Sequence, residues 1–182
     1  MSPFRPDLVD CWIFRFKRAA PAPPAAAGEA EVAVPPKLDL EVLLMRRSPG
    51  RILPGLWQCV SGSLEADETV TDGALRELRE ETGYGPEHIR GFYDLDQVNQ
   101  FHEPSVRAIV TSAVFAVRVN PVAEPTLSHE HDAMRWVSPD VALELAVWPA
   151  YRESIRRIVE NLIDPERSTW FELTLAGERA RR

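Results

Sequence analysis

The chain has 182 residues, 45% of them hydrophobic and 27% charged, with a formal net charge of −7. That length can bury a full core and predicts one domain, residues 1–182. The acid excess argues against a broad basic surface for a nucleic acid polymer, while a local basic pocket for one phosphorylated small molecule fits it. No stretch reaches the roughly 18 apolar residues of a membrane helix, and MSPFRPDLVDCWIFRF lacks the apolar run and small-residue cleavage site of a secretory signal. The expectation is a cytoplasmic protein with no membrane partner. Cys11 and Cys59, one in each of two apolar segments, read as buried, reduced thiols.

Residues 9–16 (VDCWIFRF) are rich in aromatic and β-branched types and predict a strand. Residues 19–37 are rich in Ala and Pro; prolines at that density continue neither a helix nor a ladder, so this is expected to be a flexible insert loop. Residues 38–46 (LDLEVLLMR) predict a largely buried strand, and turn chemistry from Ser48-Pro49-Gly50 to Pro54-Gly55 leads to a short strand over 57–60. A helix follows, capped by Asp67 or Thr69 and ended by Gly83, with Val70, Ala74 and Leu78 as its buried stripe. Residues 89–101 and 106–119 alternate as strands, the second as the centre of the sheet. Residues 132–137 predict a short strand. Ser138-Pro139 then starts a short helix and Pro149 a longer one, in which Tyr151, Ile155, Ile158, Val159 and Leu162 fall at helical spacing. Residues 170–175 read as an edge strand and 176–182 as a tail with a frayed end. Helices and strands interleave, so the fold class is α/β, with a mixed sheet covered on both faces.

The helix ended by Gly83 carries Arg76-Glu77-Leu78-Arg79-Glu80-Glu81. Glu77, Glu80 and Glu81 stand at i, i+3 and i+4 and share a face, where like charges cost roughly 0.2–0.5 kcal/mol per pair. A helix kept for solubility alternates signs along that face. Clustered carboxylates on a rigid element instead suit a bound Mg²⁺ or Mn²⁺, hard cations that take oxygen ligands.

The spacing from Gly62 runs five residues to Glu68, seven more, then Arg76-Glu77-Leu78-x-Glu80-Glu81-x-Gly83 and the bulky Tyr84. It resembles the Nudix box, the signature of the Nudix hydrolases. The lead Trp57-Gln58-x-Val60-x-Gly62-Ser63-x-Glu65 departs from the Pro-Gly-Gly common in that superfamily. Together with Leu127-Ser128-x-Glu130-His131-x-x-x-Arg135-Trp136, it is similar to the dihydroneopterin triphosphate and dATP pyrophosphohydrolase branch. The resemblance implies a Nudix-type α/β/α sandwich with a mixed β-sheet. It also implies metal-dependent hydrolysis of a pyrophosphate bond in a nucleotide or pterin triphosphate. Alternatives are hydrolysis of dinucleoside polyphosphates or nucleotide sugars, or a non-catalytic regulatory module that binds its ligand through the same fold.

By position in the motif, the resemblance implies that Glu77 and Glu81 are the main metal ligands and that Glu80 is a ligand or the base that takes the water proton. Arg76 is the orienting arginine, and Glu68 pairs similarly or reaches a metal. Gly62 serves a tight turn and brings its carbonyl near the metal. Glu130 supplies a ligand or base from a distant loop, in competition with His129, His131 and Asp132, and His131 itself reads as a loop histidine. Arg46 and Arg51 are candidates to meet substrate phosphates and Phe101 to stack on a base, against the plainer readings of surface solvation and core packing. The implied cofactor is Mg²⁺ (or Mn²⁺), the partner is a phosphorylated small-molecule substrate, and the family allows a homodimer.

Overall fold

The computed structural model describes residues 6–17 and 39–180, so the insert expected at 19–37 lies outside them. Eight strands run through these residues: β1 (Leu8–Phe16), β2 (Leu40–Arg47), β3 (Trp57–Gln58), β4 (Val60–Ser63), β5 (Ile89–Glu103), β6 (Ala108–Val119), β7 (His131–Val137) and β8 (Glu172–Leu173). The helices are α1 (Val70–Thr82), α2 (Pro139–Leu145), α3 (Pro149–Arg157) and α4 (Pro165–Ser168); a π-helical turn, Ile158–Leu162, extends α3.

The sheet order is β3-β2-β1-β6-β5-β8, with β7 also paired to β2 and β4 to β1. β1 and β6 run parallel and the other pairs antiparallel, so the sheet is mixed. β6 and β1 form the middle of the sheet, as expected for residues 106–119, and β1 serves two partners on one side. Phe14–Phe16 lie opposite β2, while Leu8–Cys11 lie opposite β4, which sets Asp10 against Ser61 and Val9 against Gly62.

Alternation along β1 makes two cores, as the pleat requires. Val9, Cys11 and Ile13 meet Ala74 and Leu78 of α1, together with Leu43, Val60 and Phe92. Trp12 and Phe14 point the other way, toward Ala142 of α2, Ile155 of α3 and Ile158 and Leu162 of the π-helical turn. These layers form the expected α/β/α sandwich. Both cysteines are buried and free.

Of the two proposed caps, Thr69 closes α1; its side chain accepts the Asp72 N–H at 3.1 Å. Gly83 ends the helix at φ 72°, a left-handed conformation that costs glycine little, and its N–H reaches the Arg79 carbonyl at 2.8 Å. Three expectations change. The strand over 57–60 breaks at Cys59, because β3 pairs with β2 and β4 with β1. The last strand shrinks to Glu172–Leu173. The described part of the expected frayed end folds back, with the Ala180 N–H donating to the Glu172 carbonyl at 3.0 Å and Arg179 paired to Asp94 at 2.8 Å.

Candidate active site

The site forms where α1 crosses β4. α1 turns its C-terminal half toward β4 and the 128–130 loop, which is tied down by the Ser128 N–H donating to the Glu81 carbonyl at 3.1 Å. Helical spacing puts the three glutamates on neighbouring rows, but the packing grades them by depth. Glu80 is exposed, with a side chain 55% accessible; that of Glu77 is 13% accessible and that of Glu81 only 5%.

Arg76 organises the first two. Its Nε and Nη2 donate to Glu68 at 3.0 and 2.8 Å, and Nη1 donates to Glu77 at 2.8 Å and Glu80 at 3.2 Å. A further Nη2 bond, at 2.9 Å, reaches the Ser63 carbonyl and locks the helix to the end of β4. Gly62 matters for a steric reason. A Cβ there would collide with the Glu77 carboxylate, so the absent side chain leaves the space in which that carboxylate sits.

Glu81 has no such cation. Burial, and then the nearby Glu77 charge, push its pKa up to about 8, with the Ser61 backbone amide pulling the other way and Glu130 adding to the rise. Its Oε2 is buried without a hydrogen-bond partner. Burial also raises the Glu77 pKa, against the pull of Arg76. An oxygen donor set, an unpartnered buried carboxylate oxygen and mutual repulsion between carboxylates are what a hard divalent cation would relieve. Glu77 and Glu81 therefore fit such an ion. Among the described residues no three acidic, thiol or imidazole side chains already converge into a cage, and Glu80 and Glu130 are paired with Arg76 and Arg51.

Glu130 arrives on the 128–130 loop with its carboxylate 3.2 Å from Arg51, and its charge is felt at both Glu77 and Glu81. Arg46, on β2 between β3 and β7, is held by Asp132 at 2.7 and 3.2 Å. Phe101 is 41% exposed on β5, opposite Val110. It stands three strands from β4, roughly 14 Å at the usual strand spacing, so it is not brought to the carboxylates.

Residues 30–158 match the NUDIX domain family. The chain belongs to the Nudix hydrolase family. It is 36% identical over 149 residues to an octanoyltransferase of Myxococcus xanthus, covering 81% of this chain but only 40% of that protein's length. It is 35% identical over 113 residues to a CTP pyrophosphohydrolase of Escherichia coli, covering 62% of this chain and 77% of that one. The E. coli dihydroneopterin triphosphate pyrophosphohydrolase shares its fold, with a TM-score of 0.57 at 23% identity over 84% of this chain and 98% of the other.

Two buried polar residues of this Nudix domain escape the sequence reading. His131 is the first residue of β7 and buried, rather than a loop histidine; burial, then the Arg47 charge, hold its pKa down to about 4. The signal was an alternating strand that begins one residue earlier than expected. Asp10 is 4% exposed and hydrogen-bonded by Asn99 at 3.2 Å. An acid inside the apolar run VDCWIF was visible as an anomaly.

Proposed function

We propose that this Nudix hydrolase is a single-domain, Mg²⁺- or Mn²⁺-dependent enzyme that hydrolyses a pyrophosphate bond in a nucleotide or pterin triphosphate. The observation that carries the reading is Glu81, a buried carboxylate with an unpartnered oxygen beside a second carboxylate that Arg76 holds in place. Glu77 and Glu81 would hold the cation, with the Gly62 carbonyl nearby. A bound divalent cation lowers the pKa of its water and neutralises charge on the phosphates. Glu80 sits at the solvent edge, where it serves as a further ligand or takes a proton from the attacking water. Glu130 would add a carboxylate from the loop, and Arg51 and Arg46 would meet phosphate oxygens once released from their acidic partners. The matched CTP pyrophosphohydrolase acts, by its name, on a nucleoside triphosphate, which supports this substrate class. Acyl transfer, suggested by the name of the Myxococcus relative, finds less support: Cys11 and Cys59 are buried, and burial pushes both thiols up, away from a nucleophilic thiolate.

The test is turnover with Mg²⁺ or Mn²⁺ on nucleoside triphosphates, dihydroneopterin triphosphate, dinucleoside polyphosphates and nucleotide sugars. Release of pyrophosphate from a triphosphate is expected, and a silent panel would end the enzymatic reading. Glu81→Gln should lower the rate on the order of a hundredfold or more, as loss of a central electrostatic group does; an unchanged rate would remove Glu81 from the site.

A further inference from the structure

Two of the buried polar atoms without a partner face each other. Glu81 Oε2 and His131 Nδ1 each lack a hydrogen bond and lie 3.8 Å apart, on side chains 5% and 0% accessible. The other side of the imidazole is fixed. The amide nitrogen of Gln58, itself buried, lies 3.4 Å from His131 Nε2. An amide NH₂ group donates and does not accept, so Nε2 is the accepting nitrogen and the proton of the neutral ring resides on Nδ1. The backbone holds this geometry. Gln58 and His131 both pair with β2, opposite Met45 and Arg47, and the Ser128 N–H fastens the loop before His131 to the Glu81 carbonyl.

We propose that His131 is a positioning residue for Glu81. Its Nδ1–H donates to Glu81 Oε2, and Gln58 holds the ring in the tautomer able to do so. A rotation of the carboxylate closes the 3.8 Å gap, and the carboxylate so held keeps lone pairs for the cation, since an ionised carboxylate offers about four acceptor sites. The inference rests on the reading of Glu81 as a cation ligand and adds what aims it. Ligating carboxylates are themselves hydrogen-bonded, and losing such a partner costs about 10–100-fold in metal affinity or activity.

Mn²⁺ binding, followed by electron paramagnetic resonance without substrate, separates the outcomes. His131→Leu keeps the bulk and removes the donor, and should weaken Mn²⁺ binding about 10–100-fold. His131→Asn offers an amide N–H close to the position of Nδ1 and should restore most of that loss. A His131→Leu protein that binds as the parent does, while Glu81→Gln does not, overturns the positioning role and leaves the proposed function standing. Asn as poor as Leu also overturns it. A parent that binds no Mn²⁺ overturns the proposed function itself, and the positioning role with it. If His131→Leu does not fold, ¹⁵N resonances of His131 in the parent decide. A protonated Nδ1 with a bare Nε2 is expected, and the opposite tautomer overturns the proposal.

Discussion

All five N–H groups of Arg76 find oxygen acceptors: two on Glu68, one each on Glu77 and Glu80, and one on the Ser63 carbonyl. Lysine keeps the charge but not the planar fork. Arg76→Lys should therefore leave Glu77 free to swing and lower kcat roughly 10–100-fold, since small misplacements of reacting groups cost that much. It should also cost about 1–3 kcal/mol in a urea titration, between the values for exposed and buried pairs. A variant with parental kcat would show that the fork is dispensable. Asp10 gives a prediction in pH. Burial raises its pKa above the usual value, against hydrogen bonds from the Ser61 hydroxyl and Asn99. Between about pH 3.9 and the raised native value, the folded state keeps a proton that the unfolded state releases. Its contribution to stability is thus complete below that window and is lost as pH rises through the native pKa. Asp10→Asn cannot ionise, so its unfolding free energy should gain on the parent's as pH is raised from 4 to 8; parallel stability curves would refute the shift.

At the scale of elements, α1 was the most legible part of the chain because a 3.6-residue period, a capping Thr69 and a terminal Gly83 all agree. Thr69→Ala should cost about 0.5–2 kcal/mol of unfolding free energy, the usual worth of an N-cap, measured by chemical denaturation. A change near zero would mean that packing against β4 alone holds the first turn. What the period does not encode is depth. It puts Glu77, Glu80 and Glu81 on one face, but their accessibilities of 13, 55 and 5% depend on Arg76 and on β4 and the 128–130 loop, the last two from elsewhere in the chain. The same limit explains the strand break at Cys59, since the change of partner from β2 to β1 is a tertiary event. α4 is only four residues long, too short for a helical period to show, although Asp164-Pro165 is a recognisable start, with the Asp164 carboxylate accepting from Glu166 and Arg167 N–H groups. The Arg51–Glu130 and Gln58–His131 pairings span 79 and 73 residues and leave no local pattern to read.

For the molecule as a whole, the carboxylate cluster is a cost that the metal-free fold carries. At the junction of α1 and the sheet the Glu77 charge weighs on the buried Glu81, and the hydrogen bonds of Arg76 reach Glu77 but not Glu81. A cation that binds the native state and not the unfolded chain must raise stability by mass action, about 2.7 kcal/mol when present at 100 times its Kd. For a domain of this size each kcal/mol moves Tm by about 2–4 °C. Calorimetric scans should therefore place the Mg²⁺- or Mn²⁺-saturated protein roughly 5–11 °C above the same protein in chelator. Glu81→Gln makes the prediction specific. Replacing the buried carboxylate with an amide removes the repulsion and the ligand together. Its metal-free Tm at pH 8 should thus equal or exceed the parent's, while the cation-induced rise disappears. A parent with one Tm in both buffers would show that Glu77 and Glu81 hold no ion. A Glu81→Gln protein that still responds to the cation would move the site to the other carboxylates, with Glu77, Glu80 and Glu130 as its remaining ligands.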